Sequence, residues 1–164
     1  MPTKKSKKRA PPPPALDGFR VLEYAVIKRP VRFSGRTHFC VDGKEMGRVS
    51  RLVIGELIDG AGIAILHATP SWRVLGAQGG YTAVEPAKQR AERMYPGVSQ
   101  HWVKSNVTKR QAKAFEKERW RPFACNFCGR IPPDLMLPMA ASSRTGALIC
   151  LACAREFVAN FEGT

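Results

Sequence analysis

Two cysteine pairs constrain this 164-residue chain more than any other feature of its sequence. Cys125 and Cys128 form one Cys-x-x-Cys pair, and Cys150 and Cys153 form a second pair after residues 129–149. Thiolates are preferred zinc ligands, and four of them complete the tetrahedron of a structural Zn²⁺ site. Because a Cys-x-x-Cys turn places two sulfurs on one side of an ion, two such turns enclose it. The sequence therefore predicts one structural Zn²⁺ bound by these four cysteines.

The predicted site has no open coordination position, so we expect it to be structural and not hydrolytic. Residues 122–164 are few for a hydrophobic core, and zinc binding supplies folding free energy to units of this size. A redox-active Cys-x-x-Cys is the alternative, but such sites use one pair within an α/β domain. Two pairs and one further cysteine, Cys40, fit a reducing compartment better than a secreted disulfide framework, so we expect a cytoplasmic protein.

The residues around the cysteines resemble those of a known zinc domain. The first pair lies in Phe-Ala-Cys-Asn-Phe-Cys-Gly-Arg (123–130), and the second lies in Gly-Ala-Leu-Ile-Cys-Leu-Ala-Cys-Ala (146–154). Both are similar to the four-cysteine zinc-binding domain of ClpX, the unfoldase subunit of the Clp protease. The resemblance covers about residues 122–160. It implies a treble-clef-like fold, zinc ligation by the four cysteines, and a domain that dimerises or recognises adaptors, but it does not imply unfoldase activity.

Apolar side chains follow the second cysteine pair at helical spacing. Phe157, Val158 and Phe161 would lie along one face of a helix that begins near the last ligand. They either pack onto the zinc site or form a seam between two copies of the chain. Residues 122–164 contain three basic and three acidic residues, so net charge does not oppose protein contact there.

The formal net charge of +14 is concentrated before the cysteine pairs. Residues 1–15 combine five bases with four consecutive prolines and no acid, which predicts a disordered tail. Residues 16–121 are also basic, and residues 122–164 are neutral before any metal is counted. We therefore expect contact with DNA or RNA, if any, through the first two parts, because clustered bases release counterions from a polyanion.

A basic helix is the second candidate for nucleic-acid contact. Its segment, 104–121, contains seven bases and two acids, with Phe115 and Trp120 between them. Bases at helical spacing can bracket phosphates, and aromatic rings, including the preceding Trp102, can stack on unpaired bases. The alternative is a solvated helix that Phe115 and Trp120 anchor to the sheet. The seven bases are Lys104, Lys109, Arg110, Lys113, Lys117, Arg119 and Arg121.

The pattern of residues 16–121 changes from strands to helices. β-Branched and aromatic residues predict strands over 21–29, 36–41, 49–58, 62–68 and 72–75. Asp42-Gly43 and Asp59-Gly60 predict hairpin turns, although residues 45–57 also fit a helical period. The segment 76–80 lacks the lysine and hydroxyl residue of a phosphate-binding loop and predicts a turn.

Two capping boxes predict the helices of this part. Thr82-x-x-Glu85 predicts one that ends at Pro96-Gly97, and Thr108-x-x-Gln111 predicts one that ends near Trp120. The expected fold is thus α+β, with a small antiparallel sheet and two helices, followed by a treble-clef-like zinc module. The expected parts are the tail 1–15, a basic domain 16–121 and the module 122–164.

The sequence contains no catalytic constellation. His38, His67 and His101 are scattered, Ser71 lacks nucleophile-elbow glycines, and no His-Asn-His pattern accompanies the cysteine pairs. No apolar run is long enough to span a membrane. We expect a non-catalytic zinc protein that contacts a protein partner or a second copy of itself through the module. The alternative is a nucleic-acid-binding protein in which the zinc module is purely structural.

Overall fold

The computed structural model of the protein describes residues 10–35, 39–41, 44–131, 139–141 and 145–162, with the backbone alone at 39–41, 44–46, 139 and 161–162. Tail residues 1–9, His38, the Asp42-Gly43 turn and the side chains of Cys40 and Phe161 lie outside this description. The chain divides into two compact units, Met1–Lys113 and Ala114–Thr164. The predicted boundary between residues 121 and 122 stays a prediction.

The fold is α+β, as predicted. The strands are β1 (Ala15–Leu16), β2 (Phe19–Val26), β3 (Phe39–Val41), β4 (Lys44–Met46), β5 (Arg51–Leu57), β6 (Ile63–Ala68), β7 (Val74–Tyr81), β8 (Val103–Lys104), β9 (Met139–Ala141) and β10 (Leu148–Cys150). The helices are α1 (Val84–Met94), α2 (Lys109–Trp120) and α3 (Leu151–Glu162), with short 3₁₀ helices at Val98–His101 and Arg121–Phe123.

An antiparallel sheet forms the centre of the first unit. Its strand order is β1-β2-β5-β6-β7, and β8 pairs with β2 beside β1. The β5–β6 hairpin confirms the predicted turn at Asp59-Gly60, and the Leu57 N–H donates to the Gly62 carbonyl at 3.0 Å. The β3–β4 hairpin is a separate ladder in which Val41 pairs with Lys44.

The central strand β5 is buried on both faces of the sheet. Leu52, Val53 and Ile54 are all 0% exposed. An uninterrupted apolar run is what a doubly covered strand requires, and such a run lacks the alternation that would distinguish a strand from a helix. Burial on both faces therefore removes the alternation that would identify residues 52–54 as a strand from the pattern alone.

Helix α1 covers one face of the sheet. Ala87, Ala91 and Met94 are buried against a cluster that includes Leu52 and Ile65. Small alanines on the inner side of the helix let its backbone approach the sheet closely. The predicted helix end is confirmed, because α1 stops at Met94, just before Pro96-Gly97.

The opposite face is closed by Trp72, which packs with Leu16, Val53 and Leu66. The Arg51 guanidinium lies 4.0 Å from the centre of the Trp72 ring, and the Trp72 Nε1–H donates to the Ala10 carbonyl at 3.1 Å. The segment that precedes β1 is thus fixed to the sheet at Ala10.

Two predictions about local structure are wrong. Residues 76–80 are not a turn but part of β7, in which Gly76 pairs with His67 and Gln78 pairs with Ile65. The hydrogen bonds of this ladder hold a glycine-rich segment extended. Thr82 does not cap α1, because the N-cap is Ala83 and makes no side-chain capping hydrogen bond.

The second capping box is confirmed. The Gln111 N–H donates to Thr108 Oγ1 at 3.2 Å, and the Thr108 N–H donates to Gln111 Oε1 at 2.8 Å. Helix α2 begins immediately afterwards at Lys109 and ends at Trp120, where the sequence predicts its end. The reciprocal hydrogen bonds satisfy backbone donors that a helix start otherwise leaves unpaired.

Candidate metal centre

A turn, a hairpin and a helix present the four cysteines of the second unit. Cys125 and Cys128 lie in the turn that follows the 3₁₀ helix Arg121–Phe123. Strand β10 pairs with β9 and ends at Cys150, and Cys153 lies in the first turn of α3. A cysteine turn, a β-hairpin and a helix that carries the second pair form the predicted treble-clef-like arrangement.

The four sulfurs are spaced for one tetrahedral ion. All four Sγ atoms lie within 4.8 Å of one another, and those of Cys128 and Cys150 are 3.8 Å apart. A Zn–S bond of about 2.3 Å gives a tetrahedral edge of about 3.8 Å. All four cysteines are free thiols, and Cys125 and Cys150 are buried. The predicted ligands are therefore brought together and positioned to bind a metal ion.

The backbone of the first turn is ordered by hydrogen bonds around Cys125. Its N–H donates to the Arg130 carbonyl, and its carbonyl accepts from the Gly129 N–H, both at 2.8 Å. Gly129 has a φ of +70°, in the left-handed region that glycine adopts at low cost. The glycine that follows Cys128 therefore suits the left-handed backbone conformation that this turn requires.

Asn126 joins the first cysteine turn to the strand that leads into the second pair. Its N–H donates to the Leu148 carbonyl at 2.8 Å, and its side-chain Oδ1 accepts from the Leu148 N–H. The Cys150 N–H also donates to Cys125 Sγ at 3.4 Å. Sequence reasoning missed Asn126, because nothing in a Cys-x-x-Cys spacing marks a central residue as the bridge between the pairs.

Thiol acidity differs among the four positions. The Cys128 N–H, aided by the N–H groups of Cys150 and Phe127, lowers the pKa of Cys125 to about 6. The Arg130 N–H also lowers the pKa of Cys128. Hydrogen bonds with the Cys128 and Cys150 sulfurs raise the pKa of Cys153 to about 12. Four adjacent thiolates repel one another, and a divalent cation removes that repulsion.

Large apolar side chains are exposed in the same unit. Phe157 and Val158 are 54% and 51% exposed on α3, and Phe127, inside the first cysteine pair, is 66% exposed. Phe123 is 51% exposed immediately before this turn. The structure therefore adds Phe123 and Phe127, which sequence reasoning did not single out, to the exposed apolar surface of the unit.

More than half of the basic side chains in segment 104–121 form ion pairs with acidic side chains. Four of the seven have an acidic partner: Lys109 with Glu56 at 3.6 Å, Lys113 with Asp59 at 2.6 Å, Arg119 with Glu116 at 3.4 Å, and Arg121 with Glu118 at 3.5 Å. The other three, Lys104, Arg110 and Lys117, are exposed and make no ion pair within the described part of the chain.

The aromatic residues of this region have partners within the protein. Trp102 packs against the core cluster on the α1 face of the sheet. The Trp120 Nε1–H donates to Glu116 at 3.0 Å, and its ring makes an edge contact with Phe123. The predicted contact of this segment with nucleic acid stays a prediction.

Histidine, cysteine and acidic side chains can all bind metal ions. Among the described side chains of these types, the four cysteines form the one group whose ligand atoms lie close enough together to share an ion. No helix in the described ranges combines the length and apolar character that a membrane crossing requires. The chain matches no protein-family model, no curated protein and no solved structure.

Proposed function

We propose that this chain is a non-catalytic zinc protein whose C-terminal unit is a ClpX-type module that contacts a second copy of the chain. The four-cysteine cluster carries the proposal. Four protein sulfurs fill a tetrahedral shell and leave no position for substrate or water, which favours a structural role. Tetrahedral sulfur ligation is typical of zinc or iron, and the absence of redox chemistry in Zn²⁺ suits a site that only holds a fold.

Exposed apolar surface beside the metal site supports protein contact. Phe127, Phe157 and Val158 are each more than half exposed, and exposed apolar patches mark sites of protein contact. The net charge of the chain is +14, but residues 122–164 contribute none of it. Two copies would therefore meet with least electrostatic repulsion through this unit, and for this reason we favour self-contact over a different protein.

Metal content tests the first half of the proposal. We expect one Zn²⁺ per chain after purification under reducing conditions, measured by elemental analysis and native mass spectrometry. Cys153→Ser should lose the ion, because a hydroxyl is a poor zinc ligand. Cys40→Ser is the matched control and should keep it. Iron in place of zinc, or equal metal loss in both variants, would contradict the proposal.

Sedimentation equilibrium tests the second half. We expect a dimer that becomes a monomer in the double variant Phe157→Asp, Val158→Asp, with its zinc retained. Val103→Asp is the matched control, because Val103 is 47% exposed in the first unit. A wild-type chain that stays monomeric at high concentration would rule out self-contact. Binding of a different protein by that monomer would then identify the other kind of partner.

A further inference from the structure

Exposed bases gather at one end of the first unit. The segment 27–35 follows β2 and contains Lys28, Arg29 and Arg32, all exposed. The Ile27 N–H donates to the Ser50 carbonyl at 2.9 Å, so the segment starts beside the residues that precede β5.

The other end of the same segment lies against the C-terminal end of α1. The Ser34 N–H donates to the Met94 carbonyl at 2.9 Å, next to the exposed Arg93. The rings of Phe33 and Tyr95 are 5.2 Å apart. These contacts place Arg32 and Arg93 on adjacent segments of the fold although about sixty residues separate them in sequence.

Arg48 joins the group through its neighbour. The Val49 N–H donates to the Tyr95 hydroxyl at 3.2 Å, and the Arg48 charge lowers the Tyr95 pKa against the larger, opposite effect of burial. We call the resulting cluster the basic end. It consists of Lys28, Arg29, Arg32, Arg48 and Arg93.

The positive charge of the basic end is uncompensated. None of its five bases makes an ion pair with an acid among the described side chains. In segment 104–121, by contrast, four of seven bases are paired. Because paired charges attract a polyanion less, the uncompensated basic end suits a polyanion better than the paired bases of α2 do.

A cleft with aromatic walls adjoins the basic end at Lys28. Its volume is about 330 Å³, and Tyr24, His101 and Trp102 also line it. This volume lies at the lower end of the range for small-ligand pockets.

We infer that the basic end and this cleft together bind single-stranded nucleic acid. The five bases contact the phosphates, and one unpaired base enters the cleft beside the Tyr24 ring. Aromatic rings stack on any unpaired base, whereas the stacked bases of a duplex cannot enter such a cleft. This surface lies outside the zinc unit, so the inference does not depend on the proposed dimer.

Salt dependence of binding tests the phosphate contacts. For single strands, log K falls with log salt at a slope of about −0.7 per phosphate contacted. Five contacts predict a slope of about −3.5 for the full chain on a short fluorescent thymidine oligonucleotide, measured by anisotropy. The triple variant Arg29→Ala, Arg32→Ala, Arg48→Ala should reduce the magnitude of the slope by about 2.

Two matched triple variants remove the same charge elsewhere. One carries Lys109→Ala, Arg110→Ala and Lys113→Ala on α2, and the other carries Lys4→Ala, Lys5→Ala and Lys7→Ala in the tail. Each should change the slope by less than half as much as the variant of the basic end. An unchanged slope for that variant, or equal changes in all three, would overturn the inference. Circular dichroism checks that each variant is folded.

Base recognition has a separate test. A phosphodiester chain of the same length without bases presents the same phosphates and nothing to stack. We expect it to bind about fivefold more weakly or worse than the thymidine oligonucleotide at equal salt. A duplex of that length should also bind more weakly than the single strand. Equal affinity for the baseless chain, for the duplex or for heparin would leave only charge attraction and overturn the inference.

The zinc proposal and this inference fail separately. The Phe157→Asp, Val158→Asp variant should lose the dimer and keep its oligonucleotide slope per chain. The Arg29→Ala, Arg32→Ala, Arg48→Ala variant should keep both zinc and the dimer. Each measurement therefore has one interpretation.

Discussion

At the scale of single residues, the first cysteine turn depends on a glycine with a φ of +70°. A Cβ at Gly129 would meet nothing within 4 Å, so the cost of Gly129→Ala is conformational and not steric. The left-handed region costs other residues about 1–2 kcal/mol. We expect Gly129→Ala to weaken zinc binding about tenfold in a competition with a chelating dye.

Gly79→Ala is the control for this prediction. Gly79 also has nothing within 4 Å of an added Cβ, but its φ is not in the left-handed region. Zinc affinity should not change in this variant. If both substitutions reduce the affinity equally, the conformation of Gly129 is not the reason.

His67 is buried in strand β6 at 3% exposure. Burial lowers its pKa from 6.5 to about 4, because the interior disfavours the charged imidazole. The unfolded chain therefore takes up a proton near pH 6.5, while the folded chain does so only near pH 4. The free energy of unfolding of the first unit should fall by about 3 kcal/mol as pH falls through this window.

Urea unfolding at several pH values measures this effect. His67→Leu cannot take up a proton, so its free energy of unfolding should lose the His67 contribution to the slope between pH 6.5 and 4. A variant with the same slope as the wild type would show that other groups cause the acid sensitivity. Sequence gave no sign of this role, because the three histidines are scattered and have no motif.

At the scale of elements, two similar sequence patterns behave differently at the two helix starts. Thr108 caps α2 through its side chain, and Thr82 makes no such bond at α1. Thr108→Ala should lower the free energy of unfolding by about 1 kcal/mol. Thr82→Ala, the matched control, should have almost no effect. Thermal and urea melts measure both, and equal losses would contradict the structure.

The same comparison shows what local sequence predicts. In a capping box the two hydrogen-bonding residues are only three positions apart in the sequence. Thr108 and Gln111 can therefore bond to each other's backbone N–H groups wherever the helix lies in the fold. The cysteine spacing is equally local and correctly identified all four residues of the cluster. The prediction of a turn at residues 76–80 was wrong because the hydrogen-bond partners of this segment are on β6. A glycine-rich sequence contains no pattern that identifies such distant partners.

At the scale of the whole molecule, the two units have separate cores. The sheet unit buries Leu52, Ile54 and Ile65 with α1, whereas the core of the cysteine unit consists mainly of Cys125 and Cys150. We expect a strong chelator to unfold the second unit and leave the first folded. Hydrogen exchange should show amide protection lost in α3 and kept in β5 and β6. Simultaneous loss in both would show that the units unfold as one.

The basic end illustrates what sequence could not predict at this scale. Its charges come from three stretches, 28–32, residue 48 and residue 93, which lie far apart in the sequence. The sequence instead indicated segment 104–121, which contains seven bases within eighteen residues. In the folded chain, acids from β5 and from the turn after it pair with Lys109 and Lys113, which lowers the uncompensated charge of that segment.

The distribution of the cysteines over two chain segments has one further consequence. With a metal ion bound, Cys125 and Cys128 are cross-linked to Cys150 and Cys153 without a disulfide between the two segments. A protease cut anywhere between the two pairs would yield two fragments that migrate together under native conditions and separate when the metal is removed. Such a nicked chain would behave like one held by a disulfide, but chelators and not reductants would release its fragments.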